Sequence, residues 1–136
     1  MNYSAYQPRP DLLKDRIILI TGAGDGIGRA AAISYALHGA TVVLHGRTLN
    51  KLEVIYDEIE SLGAPQPAIL PLQLSSASSH DYELLVSTLE QQFGRVDGIL
   101  HNAGMLGDRV ELADYPVDVW DDVMAVNLRA SFALTQ

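Results

Sequence analysis

The sequence TGAGDGIG at residues 21–28 decides the fold of this chain. It follows the apolar run IILI at residues 17–20 and opens the alanine-rich run RAAAI at residues 29–33. A glycine-rich turn between a strand and a helix is the context in which such a motif binds phosphate. Glycine lets the backbone turn tightly and approach a phosphate, and the new helix presents unpaired N–H groups at its positive end. The stretch predicts a diphosphate-binding loop, although such turns also occur without a ligand.

The glycine spacing in this loop narrows the choice of nucleotide. The pattern Gly-x-x-x-Gly-x-Gly, from Gly22 to Gly28, differs from the Gly-x-Gly-x-x-Gly of the general dinucleotide-binding motif. Gly22, Gly24 and Gly26 also match the Gly-x-Gly-x-Gly of methyltransferases that bind S-adenosylmethionine. Those enzymes usually carry an acidic residue just ahead of the first glycine, where this chain has Thr21. The methyltransferase alternative is therefore disfavoured.

The overall composition describes a globular, acidic protein. The 136 residues are 48% apolar and 19% charged, which suits one domain with a sizeable core. The net charge of −8, with Lys14 and Lys51 as the only lysines, argues against nucleic acid or an anionic membrane as a partner. Cysteine is absent and the histidines lack metal-ligand spacing, so we expect neither disulfides nor a metal site. Neither a signal peptide nor a membrane-spanning run is recognisable, and we expect a cytoplasmic protein.

Strand-like and helical patterns alternate after a polar lead-in at residues 1–15. Strands are predicted at residues 17–21, 41–45, 68–74 and 96–101, and helices at residues 26–38, 48–62, 79–93 and 116–136. This alternation indicates βαβ units, a parallel sheet and right-handed crossovers. The predicted fold class is α/β, a doubly wound parallel sheet of the Rossmann type with strand order 3-2-1-4.

The helix predicted at residues 116–136 stops within its own apolar pattern. One apolar stripe follows helical spacing and consists of Val119, Val123, Val126, Ala130 and Leu134. Since a four-stranded sheet would leave its fourth strand as an apolar edge, we expect residues 1–136 to be the N-terminal portion of a larger single domain. We also expect this helix to form a homo-oligomer interface, with the alternative that the stripe only covers its own sheet.

Three motifs resemble those of the short-chain dehydrogenase/reductase family in order and spacing. They are the glycine loop at 21–28, HNAG at 101–104, and WDDVMAVNL at 120–128. The resemblance covers nearly all of residues 12–136. The chain looks closest to a branch of uncharacterised oxidoreductases of enterobacterial type that shares the HNAG variant.

The resemblance implies roles for individual residues. Asn102 would steady the central sheet and flank the cofactor, and the backbone carbonyl of Asn127 would hold a water beside a catalytic lysine. His101 stands where the family usually has asparagine, and we expect a core or sheet-edge histidine there rather than a base. The family's adenine-binding aspartate, near the end of the third strand, is replaced by Gln73.

The end of the second predicted strand favours NADP(H) over NAD(H). Enzymes that use NAD carry an acidic residue about 20 residues past the glycine loop, where it binds the ribose hydroxyls. This chain has Gly46 there, followed by Arg47. A carboxylate would repel a 2′-phosphate, whereas Arg47 would form charge-assisted hydrogen bonds to one. NADP(H) is the expected cofactor and NAD(H) remains possible, because Arg47 could also be a solvated loop cation.

The candidate site residues combine the glycine loop with the ends of three strands. The predicted cofactor-binding residues are Thr21, Gly22, Gly24, Asp25, Gly26, Ile27, Gly28, Arg47, Gln73, Leu74, Asn102, Ala103 and Gly104, and the predicted catalytic residue is Asn127. The resemblance implies hydride transfer between nicotinamide and a small carbonyl or alcohol substrate, with a serine and a Tyr-x-x-x-Lys pair handling the proton. None of the six tyrosines here is followed by lysine four positions later.

We therefore expect an NADP(H)-dependent oxidoreductase whose catalytic serine, tyrosine and lysine lie outside residues 1–136. The alternative is a half-length nucleotide-binding or interaction module without turnover.

Overall fold

Four parallel strands form the centre of the structure, a computed structural model that describes residues 6–136. The strands are β1 Ile17–Thr21, β2 Thr41–Gly46, β3 Ala68–Pro71 and β4 Gly98–Leu100. Their order is β3-β2-β1-β4, and every neighbouring pair is parallel. The α/β class and the strand order predicted from the sequence are both confirmed.

Helices follow the strands as the sequence pattern predicts. They are α1 Gly26–Leu37, α2 Leu49–Ser61, α3 Ser79–Phe93, α4 Val117–Met124 and α5 Ala130–Thr135. A 3-10 turn at Leu112–Asp114 precedes α4, and a π-helical turn at Ala125–Arg129 joins α4 to α5. Residues 6–16 contain no helix or strand; the first five residues of the predicted lead-in lie outside the described part.

Apolar side chains fill a core on each face of the sheet. Successive strand residues point to opposite faces, so Leu19 enters one core and Ile20 the other. The first core is closed by buried residues of α1 and α2, among them Ala32, Leu52, Ile55 and Ile59. The second is closed by α3 and α5, with Leu85, Leu89, Ala130 and Leu134. Because both faces are covered, the strands read as continuous apolar runs in the sequence.

The local signals at the ends of α3 are used as the sequence suggests. The Ser78 hydroxyl accepts a hydrogen bond from the Asp81 backbone N–H, and the Asp81 carboxylate accepts one from the Ser78 N–H. This reciprocal capping satisfies two N–H groups that the first helical turn leaves unpaired. Gly94 ends α3 with a φ of 71°, a left-handed conformation that favours glycine. Thr48 precedes α2 without a side-chain capping bond.

Strand β4 is shorter than the predicted 96–101, and side-chain hydrogen bonds flank both of its ends. At its start, the Asp97 carboxylate accepts a hydrogen bond of 2.8 Å from the backbone N–H of Ile17. Arg16 and Arg95 also contact that carboxylate. The hydrogen bond from Ile17 lowers the pKa of Asp97, and desolvation opposes it. At its end, the Asn102 N–H bonds to the hydroxyl of Thr21 rather than to a backbone carbonyl.

Two other predicted elements differ in extent from those observed. Strand β3 ends at Pro71 rather than at residue 74, because its only partner, β2, ends at Gly46; the last hydrogen bond of the pair runs from the Leu72 N–H to the Gly46 carbonyl at 3.1 Å. The predicted helix at 116–136 is divided by the π-helical turn, where the Ala130 N–H donates to the Ala125 carbonyl five residues back.

The last three residues of the apolar stripe pack under their own sheet, whereas Val119 and Val123 lie against the segment around Gly107. Ala130 and Leu134 are buried in the core beneath α3, and Val126 packs against the same core. The expectation that this helix forms a subunit interface stays a prediction, because the structure contains a single chain. The side chains that face outward from this helical region are different ones, Trp120, Leu128 and Phe132.

Candidate functional site

The glycine loop lies at the carboxyl end of β1, between the ends of β2 and β4. Since β2 and β4 flank β1 on opposite sides, this is the point of a doubly wound sheet where ligands bind. Gly22 has a φ of 67°, and a Cβ built on it lies 2.9 Å from both Ala103 Cα and Asn102 Nδ2. A side chain at residue 22 would push the loop away from the end of β4.

Helix α1 packs directly on this loop through Gly28. A Cβ built on Gly28 would overlap the Gly22 carbonyl and Asn102 Nδ2. Asp25 begins the helix as its N-cap, and its carboxylate accepts a 2.8 Å hydrogen bond from the Gly26 N–H. The following N–H groups, those of Ile27 and Gly28, belong to the first turn, which has no intrahelical acceptors and suits an anion.

Thr21 and Asn102 tie the glycine loop to the end of β4. The buried Thr21 hydroxyl accepts hydrogen bonds from the Asn102 and Ala103 N–H groups, at 3.0 and 3.1 Å. Asn102 Nδ2 donates back to the carbonyls of Thr21 and Gly22, both at 3.1 Å. These two side chains hold the loop rather than face the cleft.

Asn127 anchors the segment that follows β4. Its Oδ1 accepts a hydrogen bond from the Met105 N–H and its Nδ2 donates to the Met105 carbonyl, each at 2.9 Å. Its place in the π-helical turn brings this side chain to the backbone of that segment. The sequence pointed to the backbone carbonyl of Asn127 and missed the bidentate role of its side chain.

A cleft of about 400 Å³ opens at this edge of the sheet. Of the sequence-predicted residues, its lining includes Gly22, Gly24, Asp25, Arg47, Gln73, Leu74, Ala103 and Gly104. The other predicted residues, which are Thr21, Gly26, Ile27, Gly28, Asn102 and Asn127, support or border this lining without belonging to it. The ends of all four strands thus contribute to one concave surface, as the prediction requires.

The positively charged side chains that line the cleft lie at its corner beyond β2. Arg47 is exposed and lines this corner together with Thr48 and Lys51. Lys51 Nζ lies 2.8 Å from the Asp25 carboxylate, and this hydrogen bond lowers the pKa of Asp25. Gly46 lies close to Leu52: a Cβ at residue 46 would lie 3.2 Å from Leu52 Cδ2, so the position suits glycine.

Gln73 lies in the loop after β3, and its Nε2 donates to the Ser75 hydroxyl at 3.2 Å. It lines the cleft beside Leu74, so it is placed where an adenine contact was expected. His101 bonds through Nε2 to the Thr135 hydroxyl of α5 at 2.9 Å. It therefore has a hydrogen-bond partner, although its side chain is exposed rather than in the core.

His45 is a buried residue that sequence reasoning treated only as one of several scattered histidines. It is the penultimate residue of β2, lies beneath the cleft with a relative exposure of 1%, and neither ring nitrogen has a hydrogen-bond partner. Burial lowers the pKa of His45 from 6.5 to about 4, because the charged form loses its hydration. The apolar run VVLH at residues 42–45 was the signal that this side chain is buried.

Across residues 6–136, no group of three histidine, cysteine or acidic side chains is arranged to hold a metal ion. No helix in the same range is long and apolar enough to span a membrane.

A doubly wound parallel sheet with a glycine loop, a helix N-terminus and a cleft at its switch point defines a fold of the Rossmann type. The family model described as short chain dehydrogenase matches residues 16–136. The chain belongs to the short-chain dehydrogenase family.

Its relatives include proteins that bind nicotinamide cofactors. The uncharacterised oxidoreductase YciK of Escherichia coli K12 is 47% identical over 131 residues, which cover 96% of this chain and 52% of YciK. A Shigella flexneri structure complexed with NADP has a TM-score of 0.89 and 45% identity, covering 94% of this chain and 54% of that one. An Escherichia coli CFT073 structure complexed with NADPH has a TM-score of 0.89 and 47% identity, covering 95% and 54%. This chain spans about half the length of these relatives.

Proposed function

We propose that residues 1–136 form the cofactor-binding portion of an NADP(H)-dependent oxidoreductase. The observation that carries this proposal is the corner beyond β2, where Arg47 lines the cleft and Gly46 replaces the expected carboxylate. The guanidinium would bind a 2′-phosphate in a bidentate manner. The NADP and NADPH in the two related structures agree with this choice. NAD(H) is the competing cofactor.

The dinucleotide would lie across the carboxyl end of the sheet. The diphosphate would meet the N–H groups at the start of α1, and the adenosine would lie between Arg47 and Gln73. Ala103 and Gly104 would flank the nicotinamide side, held there by Thr21, Asn102 and Asn127. When bound, NADP(H) would accept or supply the hydride exchanged with a carbonyl or alcohol substrate.

The proton chemistry of such a reaction would need residues beyond this segment. The family's serine and Tyr-x-x-x-Lys pair have no counterpart in residues 1–136. Asn127 is proposed to assist them through a water on its backbone carbonyl. A half-length module that binds nucleotide without turnover is the second candidate, because the cleft is formed by these residues alone.

Two further properties belong to this proposal. A homo-oligomer would use the 116–136 region through its outward side chains Trp120, Leu128 and Phe132, because the inward stripe is already packed. The absence of cysteine agrees with a cytoplasmic location.

Equilibrium titration of the full-length protein with NADP(H) and NAD(H) tests the cofactor proposal. NADP(H) should bind more tightly than NAD(H). Arg47→Gln should lower the ratio of the two affinities about tenfold, which is the usual contribution of a charge-assisted hydrogen bond. Arg9→Gln is the matched control, since Arg9 lies near the chain's beginning and pairs with Asp11. Equal or tighter NAD(H) binding by the unmodified protein would overturn the proposal.

The reverse substitution needs a steric control. Gly46→Asp combined with Arg47→Gln should favour NAD(H), but any Cβ at residue 46 presses on Leu52. Gly46→Ala introduces that Cβ without charge, so the difference between the alanine and aspartate variants isolates the electrostatic effect. A preference that does not change between these two variants would contradict the charge argument.

A further inference from the structure

Lys51 crosses the wall of the cleft from α2 to the glycine loop. A Cβ built on Gly24 lies 3.3 Å from Lys51 Cβ and 3.8 Å from its Cδ, so the lysine stem lies directly on the loop. Its ammonium group reaches Asp25 Oδ2 at 2.8 Å. The same side chain lines the cleft beside Arg47 and Thr48.

The bond between Lys51 and Asp25 is a loose one. The two side chains have relative exposures of 56% and 81%, and an ion pair this exposed to water contributes little to stability. Asp25 has a second bond that does not depend on Lys51, the one from the Gly26 N–H that caps α1. The ammonium can therefore leave Asp25 while the carboxylate still holds the start of the helix.

Lys51 also decides the sign of the charge in this corner. The charges of Arg47 and Asp25 alone would nearly cancel, and the Asp25 carboxylate would repel a phosphate bound there. With Lys51 the corner has a net positive charge. In a protein with a net charge of −8, a phosphate dianion needs such a local concentration of cations.

We propose that Lys51 is a second specificity-determining cation for the 2′-phosphate of the cofactor. In the free protein Asp25 holds the Lys51 ammonium over the glycine loop, and the ammonium transfers from that carboxylate to the phosphate when a 2′-phosphorylated nucleotide binds. This inference rests on the proposed NADP(H) function and adds a residue to it. A nucleotide without the 2′-phosphate would leave Lys51 on Asp25.

Calorimetric titration of the full-length protein with 2′,5′-ADP and 5′-AMP tests Lys51 without involving turnover. Lys51→Met keeps an unbranched stem on Gly24 and removes the charge, so it should weaken 2′,5′-ADP about tenfold and change 5′-AMP less than twofold. Lys51→Arg should restore most of the loss. The slope of binding against salt concentration should also fall for 2′,5′-ADP in Lys51→Met, because one fewer cation meets the phosphate.

Lys14→Met is the matched control because Lys14 is the chain's other lysine. It precedes β1 and so lies at the amino end of the strands, opposite the cleft. It changes the net charge equally and should leave both affinities unchanged. Equal weakening of both nucleotides by Lys51→Met would assign Lys51 a purely structural role, and no weakening would assign it none; either overturns the inference. Both leave the NADP(H) proposal standing if the unmodified protein still prefers 2′,5′-ADP, whereas loss of that preference in the unmodified protein overturns the proposed function itself.

Discussion

At the scale of single residues, the site depends on where side chains are missing as much as on where they are present. Gly22 and Gly28 let the loop, helix α1 and the end of β4 meet within van der Waals distance. Thr21 and Asn102 then join the same three parts by hydrogen bonds. The glycine spacing predicted the loop, but the bond between Thr21 and the HNAG segment could not be predicted, since it depends on strand order and register.

Gly28→Ala should destabilise the protein by about 1–3 kcal/mol and abolish nucleotide binding. The new methyl group would overlap the Gly22 carbonyl, which is backbone and cannot rotate away. Gly98→Ala in β4 is the matched control, because its Cβ would make only ordinary contacts of 3.9 and 4.0 Å with Ile18. Urea unfolding should show a lower free energy of unfolding for Gly28→Ala and an unchanged or slightly higher one for Gly98→Ala. Equal stabilities for both alanine variants would contradict this account of the loop.

His45 should make the protein less stable as the pH falls below 6.5. Its pKa is about 4 in the folded state and 6.5 in the unfolded chain, so between these values only the unfolded chain takes up the proton. The free energy of unfolding should fall by about 3 kcal/mol over this interval from this residue alone, and the effect should be absent above pH 6.5. His45→Leu should remove this pH dependence, and at pH 7 it should gain about 1–2 kcal/mol because two unpaired nitrogens disappear.

His80→Gln is the control for that experiment. The His80 side chain is 84% exposed, so its replacement should leave the pH dependence of unfolding unchanged. If the free energy of unfolding varies with pH in the same way in His45→Leu and in the unmodified protein, other groups cause the loss of stability at acidic pH.

At the scale of helices and strands, the sequence predicts where elements lie better than how they end. The periodic patterns located all four strands and the helices between them. Strand β3 stops where its partner β2 ends, and the end of β4 depends on Thr21, which lies on a neighbouring strand distant in the sequence. The π-helical turn could not be predicted, because the apolar stripe has the spacing of an uninterrupted α-helix.

Asn127→Ala should loosen the segment after β4 without unfolding the protein. It removes two hydrogen bonds to the Met105 backbone, at about 1 kcal/mol each at most. Hydrogen exchange at the Met105 amide should become faster in this variant. Asn127→Asp keeps the acceptor, so it should preserve protection of that amide while its carboxylate faces the Met105 carbonyl and weakens the other contact. Asn50→Ala, at an exposed position of α2, should change neither. Undiminished protection in Asn127→Ala would show that the side chain does not anchor this segment.

At the scale of the whole molecule, the fold was the most predictable property because each strand and helix carries its own pattern. Alternating strands and helices predict a doubly wound sheet, and such a sheet predicts a cleft at its switch point. Neither prediction requires knowledge of side-chain contacts. The contents of the cleft are different. Lys51 and Asp122 line it although neither was predicted to, because they come from α2 and α4, which approach the strand ends only in the folded chain.

Residues 1–136 alone should bind nucleotide without reducing a carbonyl compound. Hydride transfer needs a proton donor with a pKa near the working pH, and an unassisted tyrosine titrates near 10. Tyr115 follows the segment after β4, but its hydroxyl lies against Gly107 and its ring packs edge-on to Trp120. Neither lysine is placed to assist it, because Lys51 lies beside Arg47 at the corner beyond β2 and Lys14 precedes β1. A protein of residues 1–136, checked for folding by circular dichroism, should therefore oxidise NADPH at the background rate in the presence of carbonyl compounds. Turnover by the short protein that disappears in Tyr115→Phe would contradict this prediction and identify Tyr115 as a proton donor.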